Sequence, residues 1–314
     1  MKWLHWVTVS MVALALAGCA AALSTPAATP ATEADQETAL KDKVLGQPKP
    51  GLTPEPFLPD ILAGDGRDGH HLHSSVYFSP DGQELYFTHQ NRESSQLTIL
   101  FMAQKGGAWS RPRVAPFSGT YDDNCAAFSA DGQRLYFTSN RPLSGEGEPD
   151  KAFGIWFVER AGGEWSDPRY AGSPAGLDRD EGTLYFGAVL DGGRGGYDVY
   201  RLKFADGRYG TPENLGGPVN TALSEYAVLT APDERFLILY RFDRANKAAS
   251  GLYATFHLAG DTWTEPVTLD DHLGLALGFD ASLSPDGKYL FLLDRGIGVY
   301  RVDAGVLELL RAKR

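Results

Sequence analysis

The chain has 314 residues, 43% of them hydrophobic, and carries 40 Asp and Glu against 29 Lys and Arg, a formal net charge of −11. An anionic surface argues against nucleic acid as a partner and against electrostatic adhesion to anionic lipid, both of which call for basic patches. Two cysteines, Cys19 and Cys125, cannot make a disulfide framework.

Residues 1–18 read as a signal peptide. Lys2 supplies the positive start, and the apolar stretch through Val7, Val9, Met11, Val12, Ala13, Leu14 and Leu16 is too short to span a bilayer. It runs into Leu16-Ala17-Gly18-Cys19, which resembles the lipobox of bacterial lipoproteins. That resemblance implies cleavage before Cys19, lipid on its thiol and, because Ala20 rather than an aspartate follows, delivery to the outer membrane of a Gram-negative cell. Once the leader is removed and Cys19 is lipidated, no thiol remains to pair with Cys125. The latter sits in the apolar pattern Cys125-Ala126-Ala127-Phe128 and reads as an unreactive core thiol.

Residues 19–53 carry the lipidated cysteine and a tether rich in Pro, Ala and Thr, with Pro26, Pro30, Pro48 and Pro50 and no apolar periodicity. Residues 54–314 form a single all-β domain in which one unit recurs about every fifty residues. The clearest copy is Ser79-Pro80-Asp81-Gly82 before Leu85-Tyr86-Phe87. Others are Ser129-Ala130-Asp131-Gly132 before Leu135-Tyr136-Phe137, Glu181-Gly182 before Leu184-Tyr185-Phe186, Pro232-Asp233-Glu234 before Phe236-Leu237-Ile238, and Ser284-Pro285-Asp286-Gly287 before Tyr289-Leu290-Phe291.

Each copy reads as four short strands. In the first, Leu72 to Phe78 and Glu84 to Thr88 flank a tight turn. Third strands run from Leu97 to Ala103, Gly154 to Glu159, Tyr197 to Phe204, Leu252 to Leu258 and Val299 to Asp303. An aromatic residue followed three positions later by proline then marks an outermost edge strand: Trp109 and Pro112, Trp165 and Pro168, Tyr209 and Pro212, Trp263 and Pro266. The last copy lacks this element, and the strand-like stretch Pro56 to Leu62 is expected to close the ring beside Val299 to Asp303. Five blades result, and a sixth would require an unrecognised degenerate copy.

These two recurring elements resemble the WD40-like β-propeller repeat of bacterial envelope proteins, the repeat also found in the propeller of TolB. The resemblance covers residues 54–314 and implies a β-propeller of four-stranded blades around a channel. The chain departs from it in the third copy, where Ala175 to Asp180 obscures the innermost strand, and in having no α/β domain ahead of the propeller, which argues against a direct TolB role.

Innermost strands line the channel. Six residues before each turn serine or its equivalent stand His73, Asp123, Glu225 and Gly278, with His71, Asn124 and Asp280 within reach of the channel mouth. This largely acidic set is the candidate ligand or cation site; polar residues filling a wet channel account for the same positions. His70, His71 and His73, with Asp65 or Asp68, are weak metal candidates because no third ligand has a fixed spacing. The repeated Asp81, Asp131, Asp233 and Asp286 are expected to cap turn N–H groups, and Arg92, Arg141, Arg241 and Arg295, which follow the second strands, to make structural hydrogen bonds. Gly192 to Gly196 reads as a flexible blade loop.

There is no G-x-S-x-G elbow, no H-E-x-x-H helix and no sialidase Ser-x-Asp-x-Gly box in the repeat turns. The sequence therefore points to an envelope lipoprotein, without a cofactor, whose propeller binds a protein, peptide or glycan. The rival is a propeller-scaffold surface enzyme, a hydrolase or lyase acting on polysaccharide or peptide with or without a metal; a purely structural envelope role is a third reading.

Overall fold

A computed structural model describes residues 50–62, 70–105, 108–144, 147–150, 153–172, 183–206, 208–295 and 298–312. The leader, Cys19, most of the tether, Asp65, Asp68 and the segment Ala175 to Gly182 lie outside these residues. What is described is a five-bladed β-propeller. From the channel outward, the second blade runs through Asp123–Phe128, Arg134–Ser139 and Gly154–Ala161 to two short outer strands, Glu164–Trp165 and Arg169–Gly172. The fourth repeats this order with Ser224–Thr230, Phe236–Phe242, Gly251–Leu258, Thr262–Trp263 and Val267–Thr268. The third shows Leu184–Ala188, Asp198–Leu202 and Glu213–Asn214, and its inner position falls outside the described residues.

The chain closes its ring as expected. Glu55–Phe57 adds to the fifth blade as its outermost strand, antiparallel to Gly298–Asp303, with Glu55 opposite Arg301 and Phe57 opposite Val299. The Phe57 ring is buried and meets Phe291 edge-on at 4.8 Å and Phe78 of the first blade at 6.3 Å. The rest of the expected strand bends away: Leu58 takes a left-handed backbone (φ 44°) and Pro59–Leu62 is a helical turn. Proline suits that first helical position because its missing N–H has no partner there, and the Leu58 carbonyl accepts from the Ile61 and Leu62 N–H groups.

The Ser-x-Asp-Gly turns share one hydrogen-bond pattern. Ser79 Oγ donates to Asp81 Oδ1 (2.6 Å) and accepts from Glu84 N (2.9 Å), while Asp81 Oδ1 also accepts from Gln83 N (3.0 Å). Ser129 and Asp131, then Ser284 and Asp286, repeat it. Gly82, Gly132 and Gly287 occupy the left-handed position at φ 68–69°. The fourth copy puts Glu234 there (φ 57°), and its carboxylate accepts a bond from Tyr185 OH of the third blade (2.8 Å).

The aromatic-then-proline element is a break between two outer strands rather than one continuous edge strand. Trp109 pairs with Gln104 and Arg113 with Phe101, so Ser110, Arg111 and Pro112 bulge out of the ladder. Ser110 patches the break: its N–H donates to Ala103 O (2.9 Å) and its Oγ accepts from Ala103 N (3.1 Å). Ser166 and Thr264 do the same in the second and fourth blades. Each ring wedges against the preceding blade: Trp109 joins the cluster of Phe57 and Phe291, Trp165 Nε1 donates to Tyr86 OH (2.9 Å), and Trp263 meets Tyr185 edge-on at 5.9 Å.

Two short helices complete the domain, Leu269–Leu273 and Gly305–Ala312. The second buries Val306, Leu307 and Leu310 against the core shared by the fourth and fifth blades. Because Phe57 joins the closing strand to blades one and five, Phe57→Ala should cost about 3–5 kcal/mol. Urea denaturation measures it, and a loss under about 1 kcal/mol would show that the closure contributes little.

Candidate functional site at the channel mouth

The innermost strands begin on one face of the wheel and carry most of the candidate residues there. Asp123 and Glu225 are fully buried and are each held by an arginine of their own blade, Arg141 just past the second strand and Arg241 near the end of it. Arg141 Nη2 donates to Asp123 Oδ1 (2.8 Å) and to the Phe117 carbonyl (3.0 Å); Arg241 Nε donates to Glu225 Oε1 (2.9 Å) and its Nη2 to the Val219 carbonyl (3.0 Å). A loop hydroxyl completes each set, Ser118 on Asp123 (2.8 Å) and Thr221 on Glu225 (2.5 Å). Burial raises the Asp123 carboxyl above the usual range, against the opposing pull of Arg141 and its hydroxyl donors. In the fifth blade Gly278 stands in the acidic position, and Arg295 donates instead to the Leu277 carbonyl (2.7 Å) and to the Ser250 carbonyl. The acidic ring is thus a set of blade latches. Arg92, in the first blade, is exposed.

Asn124 is buried, with its Oδ1 accepting the Cys125 N–H (2.8 Å) and its carbonyl accepting Thr138 Oγ1 (3.1 Å). Asp280 lies deeper. Its Oδ2 accepts Tyr77 OH (2.5 Å) and Ser75 N (2.7 Å), its Oδ1 accepts Ala281 N (2.9 Å), and the Tyr77 hydroxyl also contacts the Cys125 thiol. Asp280, Tyr77 and Cys125 come from the fifth, first and second blades, so they meet at the channel wall. Cys125 sits at a strand bulge rather than in a regular core strand, half-buried and with a left-handed backbone (φ 56°), and its raised thiol agrees with an unreactive group. Burial raises both its thiol and the Tyr77 phenol well above their ordinary values and lifts Asp280 to about 6.

Bulges at this depth recur. Two residues, Cys125 and Ala126, face one partner in the second blade, and three, Gly278 to Asp280, face one in the fifth; Val228 is extra in the fourth. In the first blade the expected strand from Leu72 to Phe78 splits into His70–Leu72 and Tyr77–Phe78. His73, in that break, is buried, and burial with the nearby His71 lowers it to about 4. Backbone pairing places His70 opposite Asn91 and His71 opposite Gln90. Among the described residues no group of three or more His, Cys, Asp or Glu is arranged to hold a metal ion.

What the sequence reading missed is a train of aromatic rings around the mouth. His71 meets His73 (6.4 Å), His73 meets Phe279 (5.0 Å), Phe279 meets Tyr240 (6.2 Å), Tyr240 meets Tyr226 (6.5 Å) and Tyr226 meets Tyr197 (4.9 Å). These rings come from blades one, five, four and three. At the far end lies a cavity of about 470 Å³ bounded by Tyr197, Tyr226, Phe242, Asp243 and Arg244, within the range of roughly 300–1,000 Å³ typical of small-ligand sites.

The glycine run beside it is packed rather than loose. Gly196 N donates to Leu223 O (2.7 Å), and a Cβ on Gly195 or Gly196 would lie 2.0 Å from Leu223 O or 2.3 Å from Ser224 Oγ. Spaced small residues ahead of a tyrosine were the only sequence signal for this contact.

No protein family and no curated protein matches the chain. Solved structures resemble it in fold. A protein assigned as TolB from Agrobacterium tumefaciens is 15% identical, with a TM-score of 0.42, over 74% of this chain and 70% of that one. The β-propeller domain of the Trilobed protease from Pyrococcus furiosus is 16% identical, with a TM-score of 0.37, over 75% and 67%. β-1,2-Mannobiose phosphorylase from Listeria innocua is 10% identical, with a TM-score of 0.47, over 83% and 99%. The propeller assignment itself rests on the strand pairing described above.

Two outcomes follow from the latches and the channel wall. Arg141→Ala leaves Asp123 buried without its cation and should cost about 3–5 kcal/mol, with Asp123→Asn in the same chain recovering much of it; equal losses in single and double variants by urea denaturation would contradict the latch. A carboxyl raised to about 6 gives stability that is present below its unfolded value near 3.8 and lost as pH rises through 6, whereas a His73 lowered to about 4 gives stability that grows from pH 4 to 6.5. The two oppose each other. Asp280→Asn should leave the histidine unopposed, so that its stability relative to the parent improves by on the order of 2 kcal/mol between pH 4.5 and 7; a pH-independent difference in chemical denaturation would contradict the raised carboxyl.

Proposed function

We propose that the protein is an envelope-anchored lipoprotein whose propeller is a binding module for a protein, peptide or glycan, engaged at the channel mouth. The observation that carries this reading is the engagement of the candidate carboxylates. Asp123 and Glu225 are bound by Arg141 and Arg241 within their own blades, so they serve the scaffold, while the open aromatic cavity near Glu225 remains for a ligand. The outer edges are poorly suited to adding a partner's strand, because Pro112, Pro168 and Pro266 stand where each outer strand breaks.

The Cys19 motif supports anchoring by acyl chains at the outer membrane, with the propeller facing the periplasm or the cell surface. No helix among the described residues is long and apolar enough to cross a membrane. The second reading, a propeller-scaffold enzyme degrading polysaccharide or peptide, draws on Asp280, whose value of about 6 beside Tyr77 falls in the range of a general acid or base.

Metabolic labelling with radioactive palmitate tests the anchor: the parent chain is expected to take up label and fractionate with membranes, and Cys19→Ser to do neither. Labelling that survives Cys19→Ser would overturn the lipoprotein reading. Turnover of envelope polysaccharide or peptide by the purified protein, lost in Asp280→Asn, would replace the binding role with the enzymatic one.

A further inference from the structure

The cavity between the third and fourth blades has a construction that narrows its ligand, and the inference rests on the binding role proposed above. Tyr197, Tyr226 and Phe242, all half-buried, present rings to one space, and Ser224, Asp243 and Arg244 supply polar groups around them. The walls are rigid. Tyr197 is held at both backbone ends, its N–H on Ser224 Oγ (3.2 Å) and its carbonyl accepting from Glu225 N (2.7 Å), and the glycines before it leave no room for a shift toward Leu223. Tyr226 is backed by Tyr240 and, beyond it, Phe279. The loop carrying Arg244 is closed by Asp243 Oδ1, which accepts from Ala245 N (2.8 Å) and Asn246 N (2.9 Å). Pre-set rings bind without the ordering cost that weakens flexible sites.

Flat aromatic faces with polar groups at their margins match a pyranose ring, whose C–H faces are apolar and whose hydroxyls project around the edge. An all-equatorial sugar leaves both faces free of oxygen, so glucose-configured units suit the aromatic wall that the packed Tyr197 and Tyr226 form with Phe242. Anionic ligands are disfavoured: Asp243 stands at the rim, and among the described residues Arg244 is the one cation bounding the cavity. A peptide in extended form would seek an open strand edge, which this cavity does not offer.

We infer that the cavity bounded by Tyr197, Tyr226 and Phe242 is a carbohydrate site for neutral oligosaccharides of glucose configuration, bound by stacking on the tyrosine and phenylalanine rings and oriented by Arg244 and Asp243.

Titration calorimetry of the mature chain with the β-1,4-linked tetramers of glucose and of N-acetylglucosamine tests it, with tetragalacturonate as the anionic control. At least one neutral tetramer is expected to bind and the control not to bind. Tyr226→Ala and Phe242→Ala should each weaken binding about tenfold or more, while Tyr226→Phe, which keeps the ring, stays within about threefold of the parent. Circular dichroism spectra and melting curves identify any variant that fails to fold, and Arg244→Ala, at an exposed position, provides a second variant expected to lower affinity. Failure of both neutral tetramers to bind, tighter binding of the anionic control, or unchanged affinity in folded Tyr226→Ala would overturn the carbohydrate assignment. If envelope proteins are captured by the parent but not by Tyr226→Ala while neither tetramer binds, the sugar assignment falls and the binding role stands; if neither sugars nor envelope components bind, both fall.

Discussion

The antiparallel pairing of Glu55–Phe57 with Gly298–Asp303 joins the two ends of the propeller, and the closure of the wheel depends on it. An open array of five sheets would expose one apolar blade face at each end. Closure buries both, because the strand that completes the fifth blade also delivers Phe57 between Phe291 and Phe78 of the first. Closure also sets the inner strands of the fifth and first blades side by side. The contact of Asp280 with Tyr77 is a consequence of that geometry, and the Tyr77 hydroxyl reaches on to Cys125 of the second blade.

Polar groups at the channel are sorted by their supply of partners. A carboxylate taken out of water is strongly disfavoured unless a cation and further donors meet it. Asp123 and Glu225 have both, each bound by an arginine and a loop hydroxyl. Asp280 has donors but no cation and is the carboxyl shifted up to about 6. A buried channel carboxyl can therefore latch a sheet or tune a proton, depending on whether an arginine reaches it. The bulges beside these residues turn strand residues into the channel that regular alternation would have placed elsewhere, which is how Cys125 and Asp280 arrive there.

The repeat made much of the fold legible, because a turn that needs Asp at one position and Gly in a left-handed conformation at the next writes itself into the chain. Ser79-Pro80-Asp81-Gly82 and its copies were readable for that reason, and so was the missing edge strand of the last copy. The aromatic-then-proline element is legible as the outer side of a blade, but neither its split into two short strands nor its wedge between blades is, since Trp165 and Tyr86 are far apart in the chain. The helix Gly305–Ala312 went unread because eight residues buried on one side look much like another strand. Site residues fared unevenly. Asp123, Asn124, Glu225 and Asp280 stand on innermost strands and His73 in the break of one, but their partners could not be inferred from spacing, and the packed role of Gly195 and Gly196 looked like looseness.

By itself the sequence determined the properties that are local: the period of the blades, the turn chemistry and the strand-forming segment that closes the ring. Each follows from neighbouring residues whose backbone preferences or apolar order hold wherever the segment is placed. Tertiary structure alone decided which carboxylates are neutralised, which rings converge and where the cavity lies. Those properties arise between residues of different blades, at distances set by sheet stacking and bulges, and no single segment carries the information that positions its partner.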